Sequence, residues 1–149
     1  MGHTSIVYGN IIGARCRDGN LHRINKSVIE SLPADDVKWP WLERGLFLVP
    51  DPDRSKIYRE QVIVFGASYK EVEYEWPVWL EKFESVLRQL YWLSATVHLD
   101  TGLVGNYTYE WLNDMDQSGD FFSDNPRPTN KWSFSGGPRK FYEGGDRIE

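Results

Sequence analysis

Two stretches of helical periodicity, set among segments that alternate with a period of two, constrain the fold of this chain more than any other feature. Apolar side chains recur at helical spacing in residues 21–32 and again in residues 79–90. Asn20 is suited to cap the first stretch, and Pro77 is suited to the first turn of the second. The pattern therefore predicts two amphipathic helices that each bury one face.

Strand-like segments flank both helical stretches. They are residues 5–15, 45–49, 57–67, 92–100, 103–111 and 131–135, and residues 70–76 alternate in the same way soon after 57–67. Gly9 and Gly13 in the first segment indicate bulges, and short turns predict hairpins between 45–49 and 57–67 and between 92–100 and 103–111. The order β-α-β-β-α-β followed by two further strands predicts an α+β fold. We expect an antiparallel sheet with two helices on one face, in the ferredoxin-like split βαβ arrangement.

Length and composition indicate a single domain at residues 1–149, with a loose tail at 136–149 that contains four glycines. A chain of 149 residues buries roughly two-thirds of its unfolded surface, and no Pro/Gly/Ser-rich linker divides it. The single cysteine, Cys16, excludes an internal disulfide and a multi-cysteine zinc site. No signal peptide and no apolar run of membrane-spanning length is visible, so we expect a cytoplasmic protein without a membrane partner.

The distribution of charge singles out one segment. The formal net charge of -5 disfavours nucleic acid as a partner and favours a basic protein. Five of the 22 acidic residues and no Lys or Arg lie in residues 110–126, and the other 17 acidic residues balance the 17 basic ones. Aromatic rings interleaved with carboxylates are suited to a basic cleft, although a solvated loop that packs its phenylalanines on the sheet is the alternative. The predicted partner-binding residues are Glu110, Trp111, Asp114, Asp116, Asp120, Phe121, Phe122 and Asp124.

A second acidic set, Glu71, Glu73 and Glu75, alternates with apolar side chains. A strand with this alternation presents the three carboxylates on one face, which makes them secondary candidates for partner binding. Paired carboxylates in a Trp/Tyr-lined cleft are also one basis for the alternative function, a small enzyme or ligand-binding domain. The other basis is His98, because Asp100 on the same strand face is able to orient its imidazole.

Motifs for other site chemistry are incomplete. The chain has no Gly-x-Ser-x-Gly elbow and no glycine-rich phosphate loop, and His22 is expected on the exposed side of the first helix. Residues 114–120 match the start of a calcium loop, but its twelfth position, where a bidentate Glu is needed, is Asn125. We therefore predict no catalytic residue, no metal and no cofactor.

Four segments of the chain are rich in aromatic and apolar residues: Trp39-Pro40-Trp41-Leu42-Glu43 and residues 62–76, 92–100 and 107–111. In a small, acidic, cysteine-poor and tryptophan-rich α+β chain, these segments resemble the immunity proteins of bacterial polymorphic and contact-dependent toxin systems, in particular those encoded beside nuclease-type toxins. The resemblance implies a non-enzymatic, cytoplasmic inhibitor that binds a cognate toxin domain. It also implies that an acidic loop matches the basic groove of a nuclease.

Overall fold

The computed structural model describes residues 3–14, 19–51, 60–114 and 131–142. This part of the chain forms six strands and two α-helices, with short 3₁₀ helices at Arg44–Leu46 and Val72–Glu75. The strands are β1 (Thr4–Gly13), β2 (Phe47–Leu48), β3 (Val62–Lys70), β4 (Trp92–Thr101), β5 (Gly105–Asn113) and β6 (Trp132–Gly136), and the helices are α1 (Asn20–Glu30) and α2 (Trp76–Leu87).

The six strands form one antiparallel sheet in the order β2-β3-β1-β4-β5-β6. β3 lies between β1 and β2, the two strands that α1 joins along the chain, and β1 lies between β3 and β4, which α2 joins. This is the predicted split βαβ arrangement, extended at one edge by β5 and β6. Both predicted hairpin pairings are confirmed, β2 with β3 and β4 with β5.

Both helices pack on the same face of the sheet. The odd-numbered positions of β1, β3, β4 and β5 point toward them, and Ile63 and Val97 from these positions share one buried cluster with Ile29 of α1 and Phe83 of α2. Four of the seven tryptophans are at most 1% exposed, so most of this residue type serves packing. In the described part of the chain, no helix is long and apolar enough to cross a membrane.

The predicted strand at residues 70–76 is not formed. β3 ends at Lys70, Glu71 adopts a left-handed conformation with φ 53°, and Val72–Glu75 forms a 3₁₀ helix that leads into α2. The alternating pattern is misleading here because Val72 and Glu73, neighbours in the sequence, are both fully buried. A strand with one solvated face cannot bury two successive side chains.

The helix starts follow the sequence signals only in part. Pro77 lies in the first turn of α2, as predicted. The N-cap of α1 is Gly19 at φ 76° rather than Asn20, because glycine adopts a positive φ at little cost. His22, expected on the exposed side of α1, is buried, and its Nε2 lies 3.1 Å from the carbonyl oxygen of Ala14.

One glycine of β1 lies beside a bulge, and the other lies at a close approach of two strands. Ile12 pairs with Ser94 and Gly13 with Trp92, so the extra residue of the register shift is Leu93 on β4, whereas the bulge was predicted within residues 5–15. The shift turns the even-numbered Trp92 to the helix-covered face, where it is fully buried. At Gly9 a Cβ atom would lie 1.9 Å from the carbonyl oxygen of Thr96, so the close approach of β1 and β4 requires glycine.

The segment after β6 packs against the domain, in contrast to the loose tail expected from residue 136 onward. Tyr109 donates its hydroxyl to the carbonyl oxygen of Pro138 at 2.6 Å, and Tyr142 stacks on Tyr74 with ring centroids 4.3 Å apart. Residues 143–149 lie outside the described part of the chain. Aromatic contacts therefore hold residues 137–142, whose composition is rich in turn-forming residues.

Candidate protein-binding surface

The sheet face opposite the helices is termed the open face. It consists of the even-numbered positions of residues 4–12, 62–70, 94–100 and 106–112, with Leu48, Ser133 and Ser135. None of these described side chains is buried. The ladder pairing places them in rows across the sheet, one of which contains Gly66, Tyr8, His98 and Thr108.

Exposed apolar side chains are concentrated on the open face. Nine large apolar side chains of the described residues are exposed, and six of them lie here: Ile6, Tyr8, Leu48, Val62, Val64 and Leu112. All but Leu112 lie on the adjacent strands β1, β2 and β3, where Leu48 is opposite Val64. A contiguous exposed apolar patch on a folded domain marks a surface that binds another molecule.

Charges are sparse on the open face. Among its described positions only Lys70, Asp100 and Glu110 are charged, and none of the three belongs to the apolar group on β1 to β3 that surrounds Val64. The remaining positions on β4, β5 and β6 are mainly hydroxyl and amide side chains. This composition matches the centre of a protein–protein interface, from which charged residues are depleted.

Tyr8 and His98 lie at the middle of the open face. Their ring centroids are 4.9 Å apart, and His98 Nδ1 lies 3.0 Å from Thr108 Oγ1. Asp100 lies in the next row of the ladder, and no hydrogen bond joins it to His98 in the described part of the chain. Asp100 therefore does not orient the imidazole, which was the role expected of it in the form of the enzyme alternative based on His98.

The residues predicted from the acidic segment fall into three groups. Glu110 is exposed on the open face, and Asp114 is exposed just after β5. Trp111 is instead fully buried and donates its Nε1 proton to Glu84 Oε2 at 2.8 Å, because odd-numbered positions of β5 face the helices. It stabilises the core and is not a contact residue. The residues that lie outside the described part of the chain are Asp116, Asp120, Phe121, Phe122 and Asp124.

Glu71, Glu73 and Glu75 do not share a face. Ser5 Oγ donates to Glu73 Oε1 at 2.6 Å and accepts from the Val72 N–H at 3.0 Å, and both Ser5 and Glu73 are fully buried. Glu71 and Glu75 are half-buried. A 3₁₀ turn distributes successive side chains around its axis, so the expected acidic strand face does not exist. Within the described ranges, no group of three or more His, Cys, Asp or Glu is arranged to hold a metal ion.

A cavity of about 400 Å³ adjoins the open face at the outer edge of β3. This tryptophan pocket is lined by Trp39, Trp41, Ser68, Tyr69 and Lys70. The two indole rings meet edge to face with centroids 4.7 Å apart, and Trp41 is 46% exposed. Exposed tryptophan rings at a concave site are typical anchors for a binding partner.

Tyr69 holds the loop of residues 36–42, which carries Trp39 and Trp41, against the sheet. Its hydroxyl donates to the carbonyl oxygen of Trp41 at 2.6 Å and accepts from Trp79 Nε1 at 3.2 Å. Burial raises the pKa of Tyr69 to about 12, so the hydroxyl remains a donor throughout the neutral range.

Lys82 holds the same loop from α2. Its Nζ donates to Asp36 Oδ2 at 2.6 Å and to the carbonyl oxygen of Pro40 at 2.8 Å. Burial raises the pKa of Asp36, but the hydrogen bonds from Lys82 and from the N–H groups of Leu42 and Lys38 outweigh it and lower that pKa below its ordinary value. The pocket is thus preorganised, which reduces the entropy lost on binding.

Apart from Glu110, no residue of the open face was among the predicted partner-binding residues, and no residue of the tryptophan pocket was. The sequence contains a signal for the apolar patch of the open face: residues 62–65 are consecutively apolar, so both faces of β3 carry apolar side chains. A sheet with helices on one side buries only one of its faces. No protein-family model, curated protein or solved structure matches the chain.

Proposed function

We propose that this chain is a non-enzymatic protein-binding domain whose partner covers the open face, and that it acts as an immunity protein that neutralises a toxin domain in the bacterial cytoplasm. The observation that carries the proposal is the group of six exposed apolar side chains on one sparsely charged sheet face. Removing such surface from water is favourable by about 25 cal/mol per Å² of apolar area.

A protein fits the open face better than a nucleic acid does. Phosphate contacts require Lys or Arg, and Lys70 is the single basic residue among the described positions of this face, against Asp100 and Glu110. Tyr8 and His98 offer rings on which bases stack, but single-stranded nucleic acids also need a basic groove that follows the backbone. The composition of the face therefore favours a protein partner.

The acidic segment supports a basic partner. The Asp114 N–H donates to the carbonyl oxygen of Lys131 at 3.0 Å, so the two residues that flank positions 115–130 meet at one end of the sheet, close to Leu112. Residues 110–126 contain five carboxylates and no Lys or Arg. The two described ones, on the exposed side chains of Glu110 and Asp114, create a local negative field at the open face. Such a field accelerates and orients the encounter with a basic surface, such as the substrate groove of a nuclease toxin.

Co-expression tests the immunity function directly. We expect the gene immediately upstream to encode a large secreted protein with a variable C-terminal toxin domain. Production of that domain should arrest a bacterial host, and simultaneous production of this chain should restore growth. Growth arrest that persists despite stable production of both proteins would refute the proposal.

A matched pair of variants tests the open face. Val64→Lys places a charge at the centre of the apolar patch and is expected to weaken binding of the toxin domain about 30-fold or more. Val37→Lys makes the same chemical change at a residue that is 90% exposed and lies outside the open face, and it should leave affinity unchanged. Isothermal titration calorimetry of both variants decides the matter. Equal affinities would exclude the open face as the interface.

The contribution of the acidic segment is tested separately. Changing Asp114, Asp116, Asp120 and Asp124 to Asn removes four negative charges. We expect a slower association rate at low salt and a weaker dependence of that rate on ionic strength. An unchanged rate and salt dependence in stopped-flow measurements would remove this segment from the interface.

A further inference from the structure

The direction of the backbone groups of β3 follows from its pairing with β1. The Glu71 N–H donates to the carbonyl oxygen of His3 at 2.9 Å, and the Gly13 N–H donates to the carbonyl oxygen of Gln61 at 2.7 Å. The odd-numbered residues of β3 therefore direct their N–H and C=O groups toward β1. Since neighbouring residues of a strand direct these groups to opposite sides, the even-numbered residues direct theirs to the outer edge.

Part of this outer edge has no partner strand. β2 is only two residues long and pairs with β3 at Phe65 and Val64. Beyond it, the outward N–H and C=O groups of Ser68 and Lys70 form no hydrogen bond within the described part of the chain. Two donors and two acceptors at strand spacing are thus unpaired among the described residues, and they form a template for an additional strand.

Features on the two sides of this edge would select the side chains of an added strand. On the helix-covered side, Tyr69 points toward Trp39 and Trp41, so this side offers the apolar tryptophan pocket. On the open-face side, Lys70 is exposed and has no ion-pair partner among the described residues. An incoming strand therefore meets apolar rings on one side and an uncompensated positive charge on the other.

We propose that the outer edge of β3 at residues 68–70 binds an extended segment of a partner protein by strand addition. The segment places apolar side chains in the tryptophan pocket and an acidic side chain beside Lys70. Because side chains alternate along a strand, the recognised sequence alternates apolar residues with polar ones that include a carboxylate. This site is separate from the apolar patch of the open face and does not depend on the partner being a toxin.

A short synthetic peptide is a sufficient probe. The acetylated and amidated peptide Thr-Leu-Asp-Leu-Thr has the expected alternation, and its titration into the ¹⁵N-labelled full chain is followed by NMR. We expect saturable shifts centred on the amides of Ser68 and Lys70, and an affinity about 2- to 5-fold lower when lysine replaces the aspartate of the peptide. The variant Lys70→Glu should reverse that preference. The absence of any saturable shift at about 5 mM peptide would overturn the proposal.

Backbone substitutions distinguish strand pairing from simple apolar contact. Ser68→Pro removes the outward donor without removing a hydrogen bond to β1, and it should weaken peptide binding about tenfold or more. Ser68→Ala keeps the backbone N–H and should weaken peptide binding far less. A second measurement leaves the protein unchanged and methylates the peptide nitrogens. Methylation at aspartate and threonine, which pair with the edge, should abolish binding, and methylation at leucine should not. Equal binding of the two methylated peptides would refute strand addition.

Two variants separate this site from the open face. Trp41→Ala should weaken peptide binding, because the pocket loses a wall. Val64→Lys should leave peptide binding unchanged, since the backbone groups of Val64 already pair with Leu48. Loss of peptide binding in Val64→Lys, with the fold intact by NMR, would show that the peptide binds the open face instead.

Discussion

Arg139→Met is expected to destabilise the fold, because Arg139 joins the segment after β6 to α2. Its Nη1 and Nη2 donate to Glu84 Oε2 at 3.0 Å and to Glu84 Oε1 at 2.7 Å, and its guanidinium lies 4.7 Å from the ring centroid of Phe134. The Glu84 side chain is only 8% exposed. Methionine keeps the apolar stem but removes the charge, which leaves a buried carboxylate with the Trp111 N–H as its remaining side-chain donor.

The exposure of the two partners sets the magnitude. Breaking a fully buried charge pair costs about 3–5 kcal/mol, because the remaining charge is uncompensated. The Arg139 side chain is 42% exposed, so water replaces part of the lost interaction. The retained hydrogen bond from Trp111 offsets a further part. We therefore expect the free energy of unfolding to fall by about 2–3 kcal/mol and Tm by about 5–10 °C.

Urea unfolding monitored by tryptophan fluorescence measures this change. Arg88→Met is the matched control, since Arg88 lies 5.0 Å from the ring centroid of Trp132 and should contribute about 1 kcal/mol or less. A double-mutant cycle of Arg139→Met with Glu84→Gln should give a coupling energy of about 1 kcal/mol or more. If Arg139→Met costs no more than the control and the coupling energy is near zero, the segment after β6 is not anchored through Glu84.

Two further changes test buried polar groups. Ser5→Ala should lower the free energy of unfolding by about 2–4 kcal/mol, because the Glu73 carboxyl and the Val72 N–H both lose their partner. Ser68→Ala on the open face is the control and should be nearly neutral. Equal effects of the two variants in thermal unfolding would contradict the stabilising role of the hydrogen bonds that join Ser5 to Glu73 and Val72. Lys82→Met should lower the free energy of unfolding by about 1.5–3 kcal/mol at neutral pH, because Asp36 and the carbonyl oxygen of Pro40 lose this donor. Since the folded-state pKa of Asp36 is lowered, its stabilising contribution is present above the ordinary value of 3.8 and is lost as pH falls through the folded value. The difference in the free energy of unfolding between wild type and Lys82→Met should therefore narrow in acid. A difference that stays constant from neutral pH down through the folded-state pKa of Asp36 would argue against a stabilising ion pair between Lys82 and Asp36.

Local periodicity was sufficient to predict the helices, the hairpins and the order of elements. The apolar stripe behind Pro77 and the alternation in residues 92–111 are properties of neighbouring residues, so each reports its own element without information from the rest of the chain. The resulting order β-α-β-β-α-β was enough to predict the antiparallel sheet with both helices on one side. The net charge and its concentration in residues 110–126 were likewise properties of the sequence.

Which side chains are available for binding was decided only by the tertiary structure. Trp111 and Glu73 looked like surface residues beside other acidic residues, but the sheet and the 3₁₀ turn bury both of them. Val62 and Val64 lie in a consecutively apolar stretch, but both helices pack on the opposite face and leave them exposed. The open edge of β3 exists because β2 is only two residues long, which depends on how distant segments pair. Periodicity shows which residues of a strand share a face, whereas the packing of distant elements determines which of the two faces is buried.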